Sequence, residues 1–144
     1  MKQTKVNNQQ SVRRAIRFLP VITWMGVIFW SSSRTGDQLD AALPWIQQLF
    51  PYMVSFNWGH FVSYFILALL FDFAIGRKAD KWRVKGLIVL LCFLYGVTDE
   101  YHQKFVEGRM SDTADLRNDT IGAALAVLSL KIPAVRRLWR KIAH

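Results

Sequence analysis

The side chains able to do chemistry are crowded into one stretch, Thr98 to Asp119, which reads TDEYHQKFVEGRMSDTADLRND and holds nine charged residues. Asp99, Glu100, Asp112, Asp115 and Asp119 bring carboxylates, His102 an imidazole, Gln103 and Asn118 amides, and Arg109 and Arg117 guanidinium groups. Such groups can act as general acids and bases, ligate a divalent metal, or surround a phosphate with planar donors. A solvated loop would be equally polar, but the flanks argue otherwise. GLIVLLCFLYGV precedes the stretch and TIGAALAVLSL follows it. Neither crosses a bilayer alone, which takes about 20 residues, so each must borrow from the charged run. Ionisable groups drawn to membrane depth are costly and mark candidate functional sites.

The elements that must position these groups are apolar blocks. Hydrophobic residues make up 52% of the chain and aromatics 14%, and the blocks are too long and continuous for a soluble domain. They predict an all-α polytopic membrane protein with four transmembrane helices, roughly Ile16 to Ser32, Trp58 to Ile75, Val84 to Tyr101 and Asp112 to Ile132. Pro20 falls in the first turns of its helix, where a missing N–H costs least. Between the first two spans lies the polar segment SRTGDQLD, then LPWIQQLFPYMVSF (Leu43 to Phe56). Pro44 and Pro51 interrupt the latter, and its aromatic rings suit a segment lying in the membrane interface. Length fits one domain over residues 1–144, with basic tails at 1–15 and 133–144.

A net charge of +9 on a soluble domain would suggest nucleic acid. Here the charge reads as topology, and no nucleic-acid partner is expected. Fifteen of the nineteen lysines and arginines fall in the N-terminal tail, the connection after the second span, and the C-terminal tail. The positive-inside rule puts all three in the cytoplasm. Asp80, in that connection, is expected to be inert. The basic Arg13, Arg14 and Arg17 ahead of an apolar run also fit a cleavable signal peptide, but no small-x-small site follows, so a retained anchor is expected. The C-terminal KIPAVRRLWRKIAH reads as a basic amphipathic helix on the inner leaflet, a topology anchor or a reader of anionic lipid. Cys92, the single cysteine, reads as a small buried hydrophobe.

Helical rise then gives depth. From Lys85 to Asp99 is about 21 Å, from Lys131 back to Asn118 about 20 Å, from Arg77 back to His60 about 26 Å, and from Arg17 to Ser31 about 21 Å. Each span thus lifts polar groups into the outer third of the membrane, which predicts an outward-facing polar pocket roofed by the Leu43 to Phe56 segment. On helical spacing Asp99, His102 and Gln103 share one face, His60 and Tyr64 another, and Asp112, Asp115, Asn118 or Asp119, and Gly122 a third. His60, Asp99, His102, Asp112 and Asp115 are acceptable metal ligands, although no H-x-x-x-H pair is present. A divalent metal is therefore a possible cofactor and none is required. Ser31, Ser32 and Ser33 could supply a nucleophile, or merely solvate a helix end. Arg109 and Arg117 could bind an anion, or merely neutralise Asp99, Asp112 and Asp115.

The run from Tyr95 to Ala126 resembles the signature of the VanZ-like family of small bacterial membrane proteins. The pattern D-E-x-x-Q-x-F-x-x-x-R falls on Asp99, Glu100, Gln103, Phe105 and Arg109. D-x-x-D-x-x-x-N-x-x-G falls on Asp112, Asp115, Asn118 or Asp119, and Gly122. The serines before Arg34, and His60, Phe61 and Tyr64, also match the family's look. The resemblance implies a multi-pass protein of the bacterial plasma membrane and cell envelope, and a link to teicoplanin susceptibility, since the namesake is associated with resistance to that glycopeptide. It implies no reaction. The leading expectation is a pocket that engages an anionic envelope lipid or lipid-phosphate head group. Ser32, His60, Tyr64, Asp99, Glu100, Gln103, Arg109, Asp112, Asp115, Asn118 and Asp119 are its candidate binding residues. A membrane-embedded hydrolase or transferase using His60, Asp99, Glu100 or His102 is the alternative, and a structural or partner-binding protein the second.

Overall fold

A computed structural model describes residues 15–49 and 57–143. The described residues are helical without a strand: α1 (Leu19–Ser32), α2 (Gly36–Leu49), α3 (Asn57–Ile75), a 3-10 turn (Gly76–Asp80), α4 (Trp82–Gln103), α5 (Thr113–Ser129) and α6 (Pro133–Ala143). Helices α1, α3, α4 and α5 coincide with the four apolar spans to within a few residues. Among the described residues one helical stretch, Trp58–Asp80, is long and apolar enough by itself to cross a membrane, and α1 is apolar but shorter. The reason is visible in α4 and α5, where the last turns of the one and the first turns of the other are spent on Asp99, Glu100, Asp115 and Asp119.

Helix α5 lies closest to α3, and α4 packs on α5 while α1 leans on α3. Gly122 allows the first contact, because a Cβ there would run into the backbone carbonyl of Phe61. Small residues that let two backbones approach are the usual means of packing membrane helices. Tyr64, Leu67, Ile88, Cys92, Ala123 and Ala126 fill the space between. The opposite faces stay apolar and uncovered: Leu19, Ile22, Trp30, Leu90, Leu94, Tyr101, Ile121 and Leu125 are all exposed.

Two features differ from the sequence reading. The polar segment after α1 is helical from Gly36. Thr35 closes its start, its Oγ1 accepting from Gln38 N at 3.4 Å while its own N donates to Gln38 Oε1 at 3.3 Å. That reciprocal pair is a capping box, and T-x-x-Q was its signal. Helix α2 then runs through Pro44. Of the expected roof, residues 50–56 lie outside the described residues.

The second difference is at the basic end. Asp72, wholly buried in α3, receives Lys85 Nζ at 2.6 Å, Arg140 Nη1 at 2.8 Å and Trp139 Nε1 at 3.0 Å. Arg140 also reaches Asp80 Oδ1 at 2.8 Å, which joins Asp80 to the same network. Lys85, read as a boundary charge, is buried in this network. Helix α6 is thereby docked onto α3 while Leu138 and Ile142 remain exposed along its other side. Arg17 Nη2 donates to Phe73 O at 2.7 Å and Ala143 O at 3.1 Å, bringing the segment before α1 to the same end.

Candidate functional site

The remaining polar groups collect at the opposite end of the bundle. His60 precedes Asp72 on α3 by twelve residues, about 18 Å of helix, and Asp99 follows Lys85 on the antiparallel α4 by fourteen, about 21 Å. Two hydrogen-bonded groups form there.

The first is a relay between α1, α4 and the loop after it. Ser32 Oγ donates to Asp99 Oδ2 at 2.9 Å, Gln103 Nε2 approaches the same oxygen at 3.3 Å, and Arg109 Nη2 donates to Gln103 Oε1 at 2.7 Å. Asp99 and Gln103 meet because they are one helical turn apart. Arg109 reaches them because Gly108 adopts φ 71°, a left-handed conformation that glycine takes without steric cost. The same turn abuts the start of α2, where Gly36 N donates to Glu107 O at 3.2 Å. A side chain at Gly36 would collide with the Gly108 carbonyl.

The second group joins α3, α4 and α5. His60 Nδ1 lies 3.2 Å from Asp119 Oδ1, and its Nε2 lies 3.8 Å from Asp115 Oδ2. Asp119 reaches this place because Gly96 leaves room for it: a Cβ on Gly96 would sit 2.9 Å from Asp119 Oδ2. Glu100 completes the group, its Oε2 accepting from Asp112 N at 2.9 Å.

Between the two groups is a small cavity of about 70 Å³ whose walls include Ser32, His60, Tyr64, Asp99 and Arg109. Ser31, Ser63 and Leu39 line it as well, so α2 contributes a wall before the segment expected to do so. Tyr64 Oη, Asp99 Oδ1 and Arg109 Nε are buried and have no hydrogen-bond partner among the described residues. Buried polar atoms are rarely left so, and here three of them border one cavity.

The structure separates the expected residues. Ser32, His60, Tyr64, Asp99, Glu100, Gln103, Arg109, Asp115 and Asp119 are brought together. Asp112 contributes its backbone N–H, while its exposed carboxylate caps α5 by accepting from Ala114 N at 2.8 Å. Asn118 is half-buried outside both groups, and Asp119 takes the inward position. His102 stacks on Phe29, with ring centres 4.3 Å apart, and meets Ser33 Oγ at 3.1 Å. Among the described residues it makes no hydrogen bond or ion pair with a carboxylate. Arg117 is exposed. Of the acidic metal candidates, Asp115 comes within one ion's reach of His60 together with Glu100, while Asp99 faces the cavity and Asp112 is occupied as a cap.

Nor does neutralisation by arginine describe this end. Among the described residues Asp99, Glu100, Asp115 and Asp119 form no ion pair with lysine or arginine, and His60 is the one basic side chain within ion-pair distance of any of them. Four buried carboxylates therefore share one imidazole, an arrangement that is costly unless something else compensates it.

The VanZ/LLP1 family model matches residues 17–135, which takes in α1 to α5 and every residue of both groups. The chain belongs to the VanZ/LLP1 family. The matched residues include Asp99 and Gln103 on α4, which build the relay, and Asp115 and Asp119 on α5, which face His60. With α3 able to cross a membrane, this VanZ/LLP1 protein is membrane-associated. No curated protein and no solved structure matches the chain.

Proposed function

We propose that this VanZ/LLP1 protein is a four-span protein of the bacterial plasma membrane, with both termini cytoplasmic, whose outward-opening cleft holds the phosphate head group of an anionic envelope lipid. The uncovered apolar faces of α1, α4 and α5 support spanning, since they would otherwise expose more hydrocarbon surface than a soluble monomer carries. The basic residues at the Asp72 end support the orientation. The exposed Leu138 and Ile142 of α6 suit a helix resting on the inner leaflet.

One observation carries the ligand reading. Arg109 is aimed at the cavity by Gln103 while its Nε stays unpartnered. A guanidinium held by one donor and free at another is a ready phosphate fork. The cavity's volume suits a head-group oxygen cluster rather than an acyl chain. A second reading, hydrolysis or transfer at the lipid phosphate, is favoured by His60: Asp119 orients its ring, the arrangement a general base requires. Release of inorganic phosphate or a changed lipid product would select it.

Orientation is testable with single cysteines in a Cys92→Ser background. Glu107→Cys, on the exposed loop beside Arg109, is expected to react with a membrane-impermeant maleimide in intact cells, and Lys78→Cys only after lysis. Labelling of Lys78→Cys in intact cells would invert the topology and close the outward cleft. For the ligand, mass spectrometry of protein released from native nanodiscs is expected to find an anionic phospholipid or lipid-linked phosphate on the wild type, and at least tenfold less on Arg109→Ala. Equal lipid on both would sink the phosphate reading. The cell phenotype to follow is glycopeptide susceptibility.

A further inference from the structure

We propose that His60, Glu100 and Asp115 form a binding site for one divalent transition-metal ion of the zinc or manganese class, with Asp119 orienting the histidine from behind. The inference stands apart from the phosphate reading, because it rests on none of the contacts of Arg109.

Each of the three residues comes from a different helix, α3, α4 and α5, and each offers a ligand atom within 4.8 Å of the other two. Metal–ligand bonds to imidazole and carboxylate are about 2.0–2.2 Å, so two ligands of one tetrahedral ion stand roughly 3.4 Å apart. The 3.8 Å between His60 Nε2 and Asp115 Oδ2 is too long for a hydrogen bond. It closes to coordination distance with movements of a few tenths of an ångström.

A cluster of acidic groups would not suffice, but two further observations point to an ion. Glu100 Oε1 and Asp115 Oδ1 are buried atoms without a hydrogen-bond partner among the described residues, on residues 6% and 8% exposed overall. The backbone N–H of Asp112 holds the other Glu100 oxygen and the Ser111 side chain also reaches the carboxylate, which leaves lone pairs on Oε1 for a ligand bond. Meanwhile Asp119, fully buried, accepts from His60 Nδ1. That bond assigns the proton to Nδ1 and leaves the Nε2 lone pair facing Asp115. Carboxylate–histidine–metal triads use this geometry.

Charge supports the same conclusion. Among the described residues no lysine or arginine lies within ion-pair distance of Glu100, Asp115 or Asp119. A divalent cation would balance two carboxylates where His60 alone can balance one at most. Imidazole in the donor set favours zinc or manganese over magnesium or calcium. One nitrogen and two oxygens leave at least one position for water or an oxyanion.

Tag-free protein in detergent, stripped with EDTA and desalted, would be titrated with zinc chloride or manganese chloride alone. Retained metal would then be counted by plasma mass spectrometry after gel filtration. The wild type is expected to hold about one ion per chain. His60→Gln and Glu100→Gln are expected to hold less than a tenth of that, and Asp119→Asn to bind about ten- to hundredfold more weakly, as for outer-sphere partners in general. Arg109→Ala is expected to keep its metal whether or not it keeps lipid, so the two proposals fail separately. A wild type that takes up less than a tenth of an equivalent overturns the site without recourse to any variant. So does full retention by a folded Glu100→Gln protein.

Discussion

Asp72→Asn is expected to lower the unfolding free energy in detergent by about 3–5 kcal/mol, the usual cost of breaking a buried ion pair from one side. Asp72 is fully buried and holds both Lys85, only 1% exposed, and Arg140. Asparagine keeps the volume and removes the charge, leaving the Lys85 ammonium in an apolar bundle without a counter-ion. Arg140 suffers less because it retains Asp80 at 2.8 Å. The double variant Asp72→Leu with Lys85→Met removes both buried charges and is expected to recover most of the loss, since a buried pair contributes little relative to well-packed apolar residues. Reversible unfolding in a mixed-micelle titration gives both values. A single variant within 1 kcal/mol of the wild type, an error band set by ordinary surface substitutions of about 0.5 kcal/mol, would show that the pair is solvated and that α6 is not docked through it.

Arg109→Lys is expected to reduce retained anionic lipid tenfold or more while leaving stability nearly unchanged. Arg109 spends Nη2 on Gln103 at 2.7 Å and has Nε to spare. Lysine has a single nitrogen, which cannot hold Gln103 and present a planar fork to phosphate at the same time. A hydrogen bond to a charged group contributes about 1.5–3 kcal/mol, which is tenfold or more in affinity. Stability should change little because Arg109 forms no ion pair with a carboxylate among the described residues. The contrast with Asp72 is the point: one end of the bundle holds paired charges that stabilise it, and the other holds unpaired groups around a cavity. Lipid retention and unfolding midpoint measured on the same preparations separate the two roles. A Lys variant that retains lipid like the wild type would reduce Arg109 to a diffuse positive charge.

The helices were legible because a long apolar run announces itself through local composition. A run such as FLPVITWMGVIFW can satisfy its backbone in hydrocarbon only as a helix, and this holds without knowledge of any neighbour. The common level of the polar groups along the bundle was legible too, since a fixed rise per residue turns sequence distance into height. Asp72 was equally visible as an acidic residue inside LALLFDFAIG, where an ionisable group is costly. Its partners were not visible, because Lys85 and Arg140 lie in other helices and meet Asp72 only through packing.

By itself the sequence determined that the chain is helical, that its polar groups rise to a common height at the end away from its basic residues, and that the residues from Asp99 to Gly122 follow one family's pattern. Each of these is set by properties that add along the chain: hydropathy, charge and rise per residue. Which polar group meets which was decided by tertiary structure. Asn118 and Asp119 are neighbours with similar side chains, and only the close packing of α5 on α3 at Gly122 and on α4 at Gly96 turns Asp119 inward to His60. Asp99 and Asp112 looked as fit for a metal as Asp115, and Glu100 did not stand among the candidates, until the rotation of each helix was known. A helix turns by roughly 100° per residue, so an uncertainty of one residue in which face is buried exchanges one carboxylate for another.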